Sequence, residues 1–214
     1  MPLGEEKRSA SSTYVDVDEA RAKIDRRSTR YRFDLERDIA WGQLSEPGDY
    51  FGDDYLRTLG VDVEALARHP EAASLFQWAL ALATCETFIS VEEDIILFAD
   101  RERAFLGECR SVELLKEEEA KHVALFRRYA THLRSLRPEM VDAFAPFLAR
   151  CHEFHRAATE NTLGLSVPVF HYQCWLYGLM LEESSIHLHD KIAVDRDRLN
   201  PAWLSAHRAR TRRP

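Results

Sequence analysis

The chain has 214 residues, 45% of them hydrophobic and 30% charged, so its length and composition suit one domain with a sizeable core. Acidic residues outnumber basic ones by 36 to 29. The resulting formal charge of −7 argues against a nucleic-acid binder, because phosphate binding needs a basic face. The scarcity of glycine and proline, at eight each, excludes a turn-rich β-protein, and the four cysteines form no CxxC pair of a zinc ribbon.

The N-terminal segment is polar and lacks the apolar core of a signal peptide. Residues 1–27 are therefore predicted to form a disordered arm on a cytoplasmic protein, and residues 28–214 a helical domain. Short helices are expected over 28–41 and 53–67, on either side of a turn at Pro47–Gly48.

Four long helices are expected to follow. Apolar residues recur at helical spacing over 71–100 and again over 111–136. Pro138 suits the first turn of a third helix, which is expected to run to residue 160. A fourth is expected from Ser166–Val167–Pro168 to Lys191. Four long helices with short links predict an all-α bundle.

Two further segments complete the prediction. Residues 164–181 are mostly apolar, but they include a proline and run directly into two glutamates, so a buried helix fits better than a membrane span. Asn200–Pro201 repeats the cap-and-proline pattern and predicts a short final helix.

The sharpest chemical pattern is Glu119-Ala-Lys-His122. A Glu and a His three residues apart on a helix lie on one face, so a carboxylate oxygen and an imidazole nitrogen can reach the same metal ion. By itself the pattern also fits a solvated acidic face with a helical ion pair.

Acidic residues of the preceding helix support a metal site. Glu86 interrupts an otherwise apolar stretch, where an ionised carboxylate is costly unless it is paired or binds a metal. Glu93 lies seven residues further on and near the same face. A turn near 100–103 would place Glu86 opposite Glu119, whereas a turn at Gly107 would favour Glu93. Glu86 is ranked first because its surroundings are more apolar.

Acidic residues and histidines also end the fourth long helix. Glu183 shares a stripe with Leu176 and Leu179 and is preferred over Glu182 as a metal ligand, with His187 as a further candidate. His152 and His155 form a weaker pair that is more typical of surface or hydrogen-bonded core residues.

These residues together resemble the ferritin-like diiron oxygenases, most closely the p-aminobenzoate N-oxygenase type. In the bundle of that class, two helices each contribute a Glu and two others a Glu-x-x-His. Glu86, Glu119 with His122, and either Glu182 or Glu183 fall near the intervals of that pattern. His207 falls where the final helix of the family begins its own ligand motif.

The resemblance implies a non-haem enzyme that holds two iron ions, with manganese as an alternative, and oxidises a small organic substrate with O₂, such as an amine nitrogen. It also implies an external electron donor, since no flavin, haem or nicotinamide motif is present. A homodimer is the expected assembly, with no nucleic acid or membrane as partner.

The resemblance fails after His207. The family pattern continues with a Glu and a His, whereas this chain has Thr211 and Pro214. Two alternatives therefore stay open: a truncated or degenerate ferritin-like protein without catalysis, and a different helical metal enzyme such as a haem-oxygenase-like diiron protein. The arginine-rich final residues fit a frame-shifted end as well as a natural basic tail.

Overall fold

The computed structural model describes residues 34–45, 48–107, 110–194 and 196–211, together with Glu19 and Ala22. The predicted arm over 1–27 otherwise lies outside the described residues. Within them the secondary structure is helical, apart from one isolated bridge between Asp49 and Leu199. The predicted all-α helical bundle is confirmed.

The long helices begin close to the predicted residues, but the first of them continues to Leu106 and does not end near residue 100. They are α3 (Pro70–Leu106), α4 (Arg110–Leu136), α5 (Pro138–Leu163) and α6 (Val167–Val194). Two short helices precede them, α1 (Asp53–Thr58) and α2 (Val63–Ala67), and the short α7 (Pro201–Thr211) follows.

Two predictions for the N-terminal helices are wrong. The helix expected over 53–67 is two helices, because Gly60 adopts a positive φ of 79° and the Asp62 side chain caps a new helix by accepting from Ala65 N at 2.8 Å. The described part of the predicted 28–41 helix is turn, because Asp34 Oδ1 accepts the backbone N–H of Arg37 at 2.9 Å. Only a 3₁₀ turn over Trp41–Gln43 is helical there.

The final helix is capped as predicted. Asn200 Oδ1 accepts the backbone N–H of Trp203 at 3.0 Å, and Pro201 occupies the first turn. Trp203 is fully buried and its ring contacts Phe51 and Tyr129 edge-on. The cap therefore anchors α7 in the aromatic part of the core.

Helices α3 and α4 form the main body of the bundle. Trp78 near the start of α3 donates from Nε1 to Leu133 O near the end of α4, at 2.7 Å. At the other end, Arg103 pairs with Glu113 at 3.0 Å. These contacts show that the two helices are antiparallel, which brings their middle turns side by side.

Candidate metal centre

Three potential metal ligands meet between the middle turns of α3 and α4. His122 Nδ1 lies 2.8 Å from Glu119 Oε2 and 3.9 Å from Glu92 Oε1. One ligand atom from each of the three residues lies within 4.8 Å of the others. We call Glu92, Glu119 and His122 the acidic triad.

The acidic triad is built by helix geometry. Glu119 and His122 share one face of α4, and α3 ends at Leu106, with Gly107 at a φ of 78° turning the chain. Residues equally distant from such a turn meet across an antiparallel pair. Glu92 and His122 are each 15 residues from Gly107, so the turn places them opposite each other.

Burial makes the acidic triad chemically unusual. Glu92 is 1% exposed and Glu119 8% exposed. Two carboxylates lie beside one imidazole in a buried region, where carboxylate charge is costly unless it is paired or binds a metal. A cation bound among the three groups would neutralise that charge. Two carboxylates and one imidazole are also donors that iron and manganese accept readily.

Aromatic side chains lie next to the acidic triad. Phe88, one turn before Glu92 on α3, stacks on Phe126, one turn after His122 on α4, with ring centroids 4.8 Å apart. The pKa of the Tyr177 hydroxyl on α6 is raised by burial and further by the Asp94 and Glu92 carboxylates. The acidic triad therefore has the stacked Phe88 and Phe126 rings next to it, and the Tyr177 hydroxyl is close enough to be affected by the Glu92 carboxylate.

Glu86, the first-ranked acid of α3, is placed elsewhere. Its Oε1 accepts from Arg134 at 2.6 Å, and its Oε2 lies 3.4 Å from His152 Nε2. The Arg134 guanidinium already neutralises this carboxylate. The structure does not bring Glu86 together with Glu119 and His122.

Glu93 also pairs with an arginine. It accepts from Arg127, and the Arg127 and Glu93 side chains are 62% and 44% exposed. Of the two turn positions considered from the sequence, the chain turns at Gly107, which predicted Glu93 and not Glu86 as the acid opposite Glu119. However, the side chain that this turn brings to His122 is the adjacent Glu92.

The candidates on α6 and α7 lie outside the acidic triad. Glu183 and His187 are exposed and line an open cavity between α1, α3 and α6. The side chain of Glu182 is not among the described ones. His207 is 2% exposed and packs edge-on against Trp203, with ring centroids 4.7 Å apart. Metal binding by these residues stays a prediction.

The weaker histidine pair on α5 contacts acids of α3. His152 faces Glu86, and His155 Nε2 lies 2.7 Å from Asp94 Oδ2. Thr159 Oγ1 donates to the same Asp94 oxygen at 2.7 Å. Burial raises the pKa of Asp94, and the Thr159 and His155 contacts oppose that rise. These residues therefore form a polar contact between α3 and α5 that includes a hydrogen bond.

Comparison of the chain with family models, with curated proteins and with solved structures finds no match. One helix within the described residues, over Pro70–Phe105, is long and apolar enough to cross a membrane by length and composition. The same test is passed by core helices of proteins outside membranes. The resemblance and the cytoplasmic location stay predictions.

Sequence reasoning missed Glu92. It lies in the acidic run Glu92-Glu93-Asp94, which looks like a solvated surface patch. The sequence signal that could have found it is the spacing from Gly107, because Glu92 precedes this glycine by as many residues as His122 follows it.

Proposed function

We propose that the chain is a non-haem iron oxygenase whose metal is held by the acidic triad. The observation that carries the proposal is the buried meeting of two carboxylates and one imidazole with ligand atoms within 4.8 Å of one another. The ferritin-like resemblance implies two iron ions. The triad supplies donors for one, so a second would need further groups.

The residues have separable roles in this proposal. Glu92 and Glu119 supply negative charge that favours a divalent cation, and His122 supplies a neutral nitrogen donor. The stacked Phe88 and Phe126 place apolar rings next to the centre. Bound iron would supply O₂ activation: one oxygen atom enters the substrate and the other leaves as water, with two electrons and two protons from an external donor.

The proposed setting is a cytoplasmic homodimer acting on a small molecule. Contacts of the long apolar helix α3 favour packing in a protein core over a membrane. Glu86, Glu93 and Asp100 on that helix pair with Arg134, Arg127 and Lys116 of α4. Such charges are expensive in lipid.

The proposal is tested by loading the full chain anaerobically with Fe²⁺, desalting it, and following O₂ consumption with ascorbate as reductant. We expect wild type to retain iron and consume O₂ repeatedly, and His122→Ala and Glu119→Gln to lose both properties. Glu117→Gln, an exposed change on the same helix, should behave as wild type. Absence of iron, or O₂ consumption unaffected by the triad changes, would overturn the proposal.

A second candidate is a metal-binding helical protein without catalysis. The neutralisation of Glu86 and Glu93 by arginine favours it, because it leaves the described acidic triad with donors for one cation. Stable iron binding without O₂ consumption would select this candidate.

A further inference from the structure

Exposed apolar side chains follow one face of α5. Phe147, Cys151, Phe154 and Ala158 recur at intervals of four, three and four residues, and all four are exposed. Phe154 is 80% exposed and Phe147 is 51% exposed. Cys151, in the middle of this face, is a free thiol. A helix face that stays in solvent is normally polar, so this face of α5 is unusual.

A second apolar face lies on α6. Val169, Tyr172, Leu176 and Met180 again recur at intervals of three or four residues. Their exposed fractions range from 41% for Leu176 to 69% for Tyr172. Both helices therefore present apolar side chains to solvent.

The apolar face of α5 lies on the edge toward α6. Phe154 directly precedes His155, which contacts Asp94 of α3, so Phe154 points about a quarter turn away from α3. His152 marks the other edge of α5, because it contacts the α3 carboxylate that also binds Arg134 of α4. The edge with Phe154 is therefore the one away from α4 and next to α6.

The apolar face of α6 turns toward α5. Leu176 directly precedes Tyr177, whose ring contacts Phe98 of α3, so Leu176 also points about a quarter turn away from α3. Because a short link makes α6 antiparallel to α5, this equal rotation turns Leu176 toward α5. Phe154 and Leu176 are each 11 residues from Leu165 in the link, which places them at the same height. We call the space between the two faces the α5–α6 groove.

The α5–α6 groove exposes enough apolar area for a protein interface. The six large apolar side chains of the two faces leave roughly 600 Å² exposed, if a free aromatic side chain presents about 200 Å² and an aliphatic one about 150 Å². This area is at the upper limit of the largest apolar patch on a typical monomer, about 300–600 Å². A standard interface takes about 800 Å² from each partner, of which about 450 Å² is apolar. The groove therefore supplies the apolar part of a stable interface.

Charge and symmetry favour a second copy of the chain as the occupant of the α5–α6 groove. Helices that lie on membranes carry lysine and arginine on their polar face, whereas α5 has four acids and two arginines in a chain with a formal charge of −7. A second copy presents an apolar face of the same dimensions. A two-fold axis pairs such a surface with itself, which is the commonest arrangement in homo-oligomers.

We infer that the α5–α6 groove is the surface through which two copies of this chain pair. Helices α5 and α6 of one copy pack against those of the other, and the Phe154 and Leu176 side chains become buried between them. This is the interface of the homodimer that the proposed function includes, but pairing itself needs no metal, because the acidic triad lies between α3 and α4.

The oligomeric state of the full chain is measured by sedimentation from about 1 to about 100 μM, with a reductant and a chelator present. We expect wild type to form a species of twice 24.8 kDa. Leu176→Glu and Phe154→Glu each place a charge in the groove and should weaken pairing about tenfold or more. Leu115→Glu is the matched control, because Leu115 on α4 is 43% exposed against 41% for Leu176 and lies outside the groove. It should pair as wild type does.

Alkylation of Cys151 by N-ethylmaleimide, followed by peptide mass spectrometry, provides a second measurement on the same surface. Wild-type Cys151 should react more slowly at high protein concentration, where pairing covers it, whereas the Leu176→Glu chain should show no such slowing.

Four outcomes would each overturn the inference: a wild-type chain that is monomeric at every concentration, a dimer that both glutamate variants leave intact, a Cys151 reaction rate that does not change on pairing, or binding to anionic phospholipid vesicles through Phe154 and Leu176 in place of pairing. Because the chelator removes metal, these outcomes are independent of whether the chain binds iron, which is measured separately on the loaded protein.

Discussion

Glu92 of α3 faces His122 of α4 across the centre of the bundle, with 3.9 Å between Oε1 and Nδ1. The neighbouring acids of α3 point to cations instead: Glu86 contacts Arg134 and Glu93 contacts Arg127. One long helix thus carries acids with different expected roles. Single substitutions along it separate structural ion pairs from metal binding.

Glu86→Gln tests the structural role of the first-ranked acid. The change leaves the Arg134 guanidinium without its carboxylate partner in a half-buried setting, so the free energy of unfolding should fall by about 1–3 kcal/mol. Urea denaturation measures this loss. Glu93→Gln removes a more exposed ion pair and should cost about 0–1 kcal/mol. An equal cost for the two changes would contradict the assignment.

Arg101 is predicted to tie α3 to the end of α5. Its guanidinium donates to Leu163 O and, at 2.6 Å, to Leu165 O, and lies 4.0 Å over the Phe170 ring. Lysine lacks the planar fork that makes these contacts together, so Arg101→Lys should lower the free energy of unfolding by about 1–3 kcal/mol.

The control for Arg101→Lys is Arg103→Lys, on the same helix. Arg103 forms a partly exposed pair with Glu113 that reaches no backbone carbonyl, and such a pair is worth about 0–1 kcal/mol. Thermal unfolding should rank the Arg101 variant clearly below the Arg103 variant. The reverse order would show that the carbonyl contacts of Arg101 contribute little.

The Tyr50 hydroxyl should weaken the fold at alkaline pH. Burial raises its pKa from 10.0 to about 12, so between these values the unfolded chain loses the phenolic proton and the folded chain keeps it. The unfolded state then binds fewer protons, and the free energy of unfolding falls as pH rises above 10. At pH 11 the Tyr50 contribution is about 1 kcal/mol.

Tyr50→Phe should flatten this alkaline decline relative to wild type, measured by urea denaturation from pH 8 to 11. Tyr172→Phe, which alters an exposed tyrosine, should leave the decline as it is. If the Tyr50 variant declines as steeply as wild type, the raised pKa does not contribute.

Helix ends are predictable from sequence where a capping residue or a first-turn proline determines them locally. Asn200–Pro201 and Pro138 are such residues, and the structure has a helix beginning at each. The continuous helix over 53–67 was wrong because Gly60, a single left-handed residue, ends α1. The helical spacing of apolar residues on both sides of Gly60 does not indicate that the helix is broken between them.

The acidic triad was only partly predictable for a related reason. Glu119 and His122 were paired by spacing along one helix, and the structure confirms that the two side chains are in contact. The choice among Glu86, Glu92 and Glu93 depends on which acid meets an arginine of α4. The pairing of acids with arginines depends on the position of the turn between α3 and α4. The apolar surroundings of Glu86, on which it was ranked first, do not determine the position of that turn.

The most direct test of the central claim is the iron content of Glu92→Gln and Glu93→Gln after anaerobic loading and desalting, with helicity checked by circular dichroism. These two acids are adjacent in sequence, but only Glu92 belongs to the acidic triad. We expect Glu93→Gln to retain iron as wild type does and Glu92→Gln to lose most of it while staying folded. Full iron retention by a folded Glu92→Gln chain, or loss of iron in Glu93→Gln alone, would contradict the acidic triad as the metal centre.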